Sequence, residues 1–116
     1  MTTADTCLFC KIASGAIPAK KLYEDDEIVA FWDISPQAPK HFLVIPRRHL
    51  PGPGAIGSSD EAIMGKILRV AGDLARENGI GEGYRLVMNH GAQAGQTVFH
   101  IHLHVLGGRA MTWPPG

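Results

Sequence analysis

No stretch of this 116-residue chain approaches the roughly 18 consecutive apolar residues that a membrane-spanning helix requires, so no membrane partner is expected. Net charge is missing too. Lys and Arg number 11 and Asp and Glu number 11, which removes the bulk positive field that draws proteins onto nucleic acid. The opening Met1-Thr2-Thr3-Ala4-Asp5 has neither the basic nor the apolar region of a secretory signal. Internal repeats and disordered linkers are absent as well. A cytoplasmic protein is therefore expected, in a compartment where neighbouring cysteines stay reduced and often bind metal. What is present, 45% apolar and 19% charged residues, suits one soluble domain spanning residues 1–116, with one modest core.

The strongest signal lies near the C-terminal end, in Thr97-Val98-Phe99-His100-Ile101-His102-Leu103-His104-Val105-Leu106. Strand geometry puts residues i, i+2 and i+4 on one face, so the three imidazoles share a side while Phe99, Ile101, Leu103 and Val105 turn toward a core. A half-buried strand ordinarily carries Thr, Ser or charge on its polar face. The run is not terminal and not contiguous, which sets aside a purification tag. A satisfied structural cluster, a His-rich metal site and histidine-based catalysis remain open on spacing alone.

Both cysteines sit in Cys7-Leu8-Phe9-Cys10. A thioredoxin-type redox pair follows a buried strand, and none precedes this one. An incidental pair in a short helix is one reading. Zinc is another and needs two further ligands, drawn from His41, His49, His90 and the triad. Cys7, Cys10, His49 and His100 would close a tetrahedral site pinning the N-terminus to the sheet.

Elements follow from punctuation. Cys7 to Ser14 reads as a short helix closed by Gly15. Lys21 to Glu24 and Glu27 to Trp32 read as strands joined at Asp25-Asp26, and His41 to Pro46 as a third. Ser58 and Glu61 stand at capping-box spacing before a long helix with an apolar stripe of Ile63, Ile67, Leu68, Ala71, Leu74 and Ala75, ended by Gly79. Gly65 and Gly72 offer it a line of close packing. Tyr84 to Asn89 and Val98 to Leu106 are the last strands, joined by a Gly-rich loop. The class is α+β: a mainly antiparallel sheet of about five strands with one long and one short helix.

His100-Ile101-His102-Leu103-His104-Val105-Leu106 resembles the His-φ-His-φ-His-φ-φ signature (φ apolar) of the histidine triad superfamily. Asp33-Ile34-Ser35-Pro36-Gln37-Ala38-Pro39 with His41 to Pro46, and the ending Gly107 to Gly116, are similar to its nucleotide-binding branch. The resemblance covers essentially the whole chain. It implies a hydrolase: a purine nucleoside phosphoramidase and nucleotidyl hydrolase that forms a covalent nucleotidyl-histidine. His102 matches the nucleophile and His104 the residue that contacts phosphate and shuttles a proton. Asn89 and Thr97 match polar groups around the phosphate; relatives often carry serine at Thr97. Gly91 and Gly95 would let backbone N–H groups approach it.

Asp33 matches the ribose-binding carboxylate, with a turn cap before Ser35-Pro36 as its alternative. Phe9, Ile12, Ile17, Phe31, Ile34 and Leu43 are candidates for the base pocket or for plain core. His41 matches a histidine that supports the triad. Relatives that bind zinc use positions matching Cys7, Cys10, His49 and His100, so the zinc implied is structural and none is needed for chemistry. His90 departs from the acidic residue of close relatives and reads as an exposed loop residue or as one beside the leaving group. The resemblance also implies a homodimer in which Trp113 reaches the partner's site; Trp113 folded on its own core is the alternative. A dinucleoside polyphosphate hydrolase, a nucleotide-binding regulatory module and a zinc hydrolase centred on the three histidines are the other functions to separate. The sister branch with the first of these activities usually places Gln before its last histidine, where this chain has Leu103.

Overall fold

A computed structural model describes residues 6–116, so Met1 to Asp5, read above for a signal, lie outside the described residues. Helix α1 (Leu8–Ser14) precedes strands β1 (Lys21–Glu24), β2 (Ile28–Trp32) and β3 (Lys40–Pro46); helix α2 (Glu61–Glu77) follows, then β4 (Tyr84–Val87) and β5 (Leu103–Gly107). The five strands form one antiparallel sheet in the order β1-β2-β3-β5-β4. The fold is α+β. No helix among the described residues is long and apolar enough to cross a membrane.

The central strands are apolar on both faces because both faces are covered. Ile28 and Ala30 of β2, Phe42 and Val44 of β3, and Leu103 and Val105 of β5 form one core with Ile67, Val70, Ala71, Leu74 and Ala75 of α2. The alternate residues Val29, Phe31, Leu43 and Ile45 form a second core with Cys7, Phe9, Ile12 and Ala13. Period-2 alternation therefore sorts the sheet into an α2 face and an α1 face. His41 and His104 fall on the α1 face, since Leu43 pairs with His104 and His41 with Leu106.

Turn chemistry fixes the ends. Asp25 Oδ1 accepts the N–H groups of Glu27 and Ile28, both at 2.8 Å, which shapes the β1–β2 turn. Gly15 closes α1 with φ of +84°. The cap expected from Ser58 and Glu61 is not the one formed. Residues Ser58–Asp60 make a 3-10 turn, and the buried Asp60 accepts the Gly57 N–H at 2.8 Å while Arg48 pairs with its other oxygen. Leu68 leaves the expected stripe and is exposed, because Val70, one helical position from Ala71, takes the inward place. Of the two helix glycines only Gly72 is packed, 3.3 Å in Cβ terms from the Tyr84 hydroxyl.

The largest departure concerns the triad strand, which begins at Leu103 and not at Val98. Upstream, the backbone polar groups are taken by other partners: the Val98 carbonyl by Gln96 Nε2, the His100 carbonyl by His102 Nδ1, and the Ile101 N–H by the Leu50 carbonyl. Strand β4 accordingly stops at Val87, the partner of His104, short of Asn89.

Candidate active site and metal-binding cluster

Because only His104 lies within β5, the three histidines do not share one centre: His100 turns to the cysteines, while the rings of His102 and His104 stay together with centroids 5.0 Å apart. His100 is fully buried and its Nε2–H donates to the carbonyl of Pro46, the residue that ends β3, at 2.7 Å. A neutral ring donating from Nε2 carries its lone pair on Nδ1, which faces the cysteines. His102 is arranged the opposite way. Its Nδ1–H donates to the His100 carbonyl at 2.7 Å, leaving the lone pair on Nε2. The Phe9 ring stands edge-on to it with centroids 5.0 Å apart.

His104 is oriented from β3. The Gln37 N–H donates to His41 Nδ1 at 3.1 Å, so His41 holds its own proton on Nε2 and gives it to His104 Nδ1 at 3.0 Å. His104 therefore carries its proton on Nε2. Asp33 joins the chain, its Oδ2 lying 3.5 Å from His41 Nε2 while its Oδ1 accepts the Ser35 N–H at 2.7 Å. Asp33 thus caps the turn with one oxygen, as the turn-cap reading expects, and keeps the other toward His41. Burial lowers the proton affinity of His41 and His102, against the opposing pull of Asp33 and, for His102, of the His100 carbonyl. Burial first, then the neighbouring His102 and His41, push His104 down to about 4. These rings are neutral at physiological pH.

Helix α1 brings the cysteines to His100. Arg47 ties its end to the sheet, donating to the carbonyls of Ala13 and Asp25. Cys7 caps the helix, its sulfur accepting the Cys10 N–H at 3.4 Å. Cys7 Sγ lies 3.3 Å from His100 Nδ1, Cys10 Sγ 3.3 Å from His49 Nδ1 and 3.4 Å from His100 Nδ1, and the two Nδ1 atoms are 3.2 Å apart. Metal–ligand bonds of about 2.0–2.3 Å in a tetrahedron put neighbouring donors roughly 3.3–3.8 Å apart. The four side chains lie close enough to hold a metal ion. Burial and the adjacent Cys7 push the Cys10 thiol up to about 11, a cost that a divalent cation would reverse by binding the thiolate.

Between α1 and the α1 face of the sheet opens a cavity of about 500 Å³. Phe9, Ile12, Ile17, Phe31, Ile34 and Leu43 all line it, with Lys20, Asp33 and Thr97 as polar or charged members. Ile34 is fully exposed at its rim. Asn89 is half-buried, just beyond the end of β4. Trp113 is 84% exposed, so it does not fold onto its own core. His90 is exposed yet engaged, its Nδ1 accepting the Gly54 N–H at 2.9 Å. Sequence reasoning missed Gln96, a buried carboxamide with three hydrogen bonds, for which a polar residue just before Thr97 was the one available signal.

Known proteins share this fold. Residues 14–111 match the model of the HIT domain. An uncharacterized HIT-like protein of Synechocystis is 50% identical over 97% of this chain and 99% of its own length. A HIT family hydrolase from Legionella pneumophila superposes with a TM-score of 0.93 at 53% identity, over 95% of this chain and 99% of that one. A histidine triad nucleotide-binding protein from Candida albicans gives 0.80 at 33%, over 93% and 82%. With the alternating histidines, the five-stranded sheet and a family match over most of its length, this chain belongs to the HIT domain family.

Proposed function

We propose that this protein is a nucleotide-binding hydrolase that cleaves the P–N bond of purine nucleoside phosphoramidates through a covalent nucleotidyl-histidine on His102. The observation that carries the reading is the pair of opposed tautomers on neighbouring triad members. His102, held at Nδ1, offers Nε2 as a neutral nucleophile; His104, held at Nδ1 by His41, offers Nε2–H. One ring is set to attack and the next to donate, which is the division of labour nucleophilic phosphoryl chemistry needs.

In the first step a bond forms between His102 Nε2 and phosphorus, and the bond from phosphorus to the amine breaks. His104 hydrogen-bonds the phosphoryl group and passes a solvent proton to the departing nitrogen. Water then attacks phosphorus, His102 leaves, and the proton released by that water restores the balance. Thr97 and Asn89 hold phosphoryl oxygens. The base enters the apolar cavity beside Phe9, Ile12, Phe31, Ile34 and Leu43, and Asp33 takes the ribose hydroxyls. The second oxygen of Asp33, already directed toward His41, fits that role.

Cys7, Cys10, His49 and His100 would hold a structural zinc; soft thiolates with imidazoles in a closed tetrahedron suit that ion and leave no open position for chemistry. When bound, the metal supplies a crosslink between α1 and the triad segment. The Pro46 carbonyl fixes the His100 tautomer that such a crosslink requires. The three histidines do not converge, which speaks against a zinc hydrolase centred on them. The reading includes a cytoplasmic homodimer in which Trp113 of each protomer reaches the other's site.

Release of AMP from tryptamine- or lysine-linked adenosine phosphoramidate tests it. Wild type is expected to turn over, and His102→Ala to lose activity by about a thousandfold or more. A well-folded wild type without turnover would overturn the phosphoramidase reading and favour a dinucleotide substrate or a binding role.

A further inference from the structure

Gln96 is 3% exposed, and every polar atom of its carboxamide is engaged. Oε1 accepts the Gly91 N–H at 2.8 Å, while Nε2 donates to the carbonyls of Pro51 at 2.7 Å and Val98 at 3.1 Å. Its own backbone N–H returns to the Gly91 carbonyl at 3.1 Å. One side chain thus joins three segments: the loop after His49, the turn from Gly91 to Gly95, and the stretch leading to the triad. A second tie joins the first two, from the Gly54 N–H to His90 Nδ1. Glycines make this closeness possible. A Cβ on Gly52 would stand 2.8 Å from His90 Nδ1 and 3.3 Å from Gln96 Oε1, and one on Gly54 would stand 2.7 Å from His90 Cε1. Asn89 and Thr97 each adjoin one of the two tying residues in the chain, Asn89 before His90 and Thr97 after Gln96.

We propose that Gln96 is a positioning residue for nucleotidyl transfer, clamping the loop that carries Asn89 and Thr97 onto the Pro51–Gly54 loop so that both meet the phosphoryl group in fixed geometry. The proposal rests on the nucleotidyl-transfer reading above. Polar groups on an irregular loop stabilise developing charge only when the loop does not reorganise during reaction. A buried amide with two donations and one acceptance supplies that rigidity, and an apolar side chain leaves the three backbone groups unpaired. Glutamate does not substitute, because both Nε2 partners are carbonyls and a carboxylate would set oxygen against oxygen.

Steady-state kinetics on tryptamine-linked adenosine phosphoramidate, run below each variant's Tm, test this with wild type, Gln96→Glu and Gln96→Met. Both variants are expected to lose about tenfold to a hundredfold in kcat with KM little changed. Adenosine affinity should stay at the wild-type value while the advantage of AMP over adenosine shrinks. Combining Gln96→Met with Thr97→Val should cost less than the product of the single losses, since both act on one contact. Gln96→Glu keeps the acceptor for Gly91 if Gln96→Met does not fold. Should neither fold, the exposed His90→Ala removes the second tie and is expected to lower kcat in the same direction. Folded variants with a lower Tm but unchanged kcat and AMP preference would make Gln96 merely structural and overturn the proposal alone. Wild type that neither turns over nor binds AMP would overturn the nucleotidyl-transfer reading and this proposal with it.

Discussion

A histidine's chemistry is set by which ring nitrogen its neighbours occupy, and this chain assigns that nitrogen differently at each triad position. His100 gives Nε2–H to Pro46, His102 gives Nδ1–H to His100, and His104 receives at Nδ1 from His41. The spacing in the sequence showed that three imidazoles cluster; it did not show that they face a cysteine pair, the edge of the Phe9 ring and a relay in turn. Those assignments depend on carbonyls and a backbone N–H, which carry no residue signature. The relay also has a stability consequence. Burial lowers the proton affinity of His41 and takes His104 to about 4, against an ordinary histidine value of 6.5. Below pH 6.5 the unfolded chain therefore binds protons that these folded rings refuse, so unfolding gains ground as pH falls from 6.5 toward 4. Urea titrations at pH 7, 6 and 5 are expected to show stability declining over that window. His104→Gln is expected to flatten the decline, and an equal slope in the variant would count against the buried neutral ring.

At the scale of elements, most of the fold was legible because the punctuation is strong. Gly15, the Asp25-Asp26 turn, Pro46 and Gly79 each delimit an element close to where the sequence places it. The exception, the shortened β5, arose because side chains of Gln96 and His102 occupy backbone carbonyls that a strand would have used. No hydrophobic pattern reports such competition. Helix α1 is the element most dependent on its neighbours: seven residues are too short to persist alone. It is held by its apolar face, by Arg47 and by the cysteine–histidine cluster. Removing a structural metal from that cluster should therefore loosen α1 first. Chelation of the purified protein, or Cys7→Ser, is expected to cost about 3 kcal/mol, roughly 10–15 °C in Tm. Metal analysis and calorimetry before and after chelation check this together. A metal-free protein with unchanged Tm would remove the crosslink from the account.

The whole molecule leaves apolar surface that its own fold does not use. Leu68 on α2 is 53% exposed, Leu86 on the edge strand β4 is 39% exposed and Trp113 is 84% exposed. An edge strand with unpaired backbone groups and an adjoining apolar helix face is a surface that soluble proteins cover. The tail itself is not loose up to its last turn, since Arg85 donates to the Thr112 carbonyl and Arg109 to the carbonyls of Gln37 and Ala110. That anchoring aims Trp113 away from its own core instead of letting it collapse there. Sedimentation equilibrium is accordingly expected to return twice the 12.5 kDa chain mass. Leu68→Glu with Leu86→Glu should shift it toward the single-chain value, because burying two carboxylates at such a face is unfavourable. Deleting Trp113 to Gly116 should act differently: the mass stays doubled while KM changes for amine leaving groups of different size, as a tail that serves the neighbouring site requires. A deletion that halves the mass would make the tail part of the dimer contact, and one that alters neither mass nor KM would leave Trp113 without a role in either.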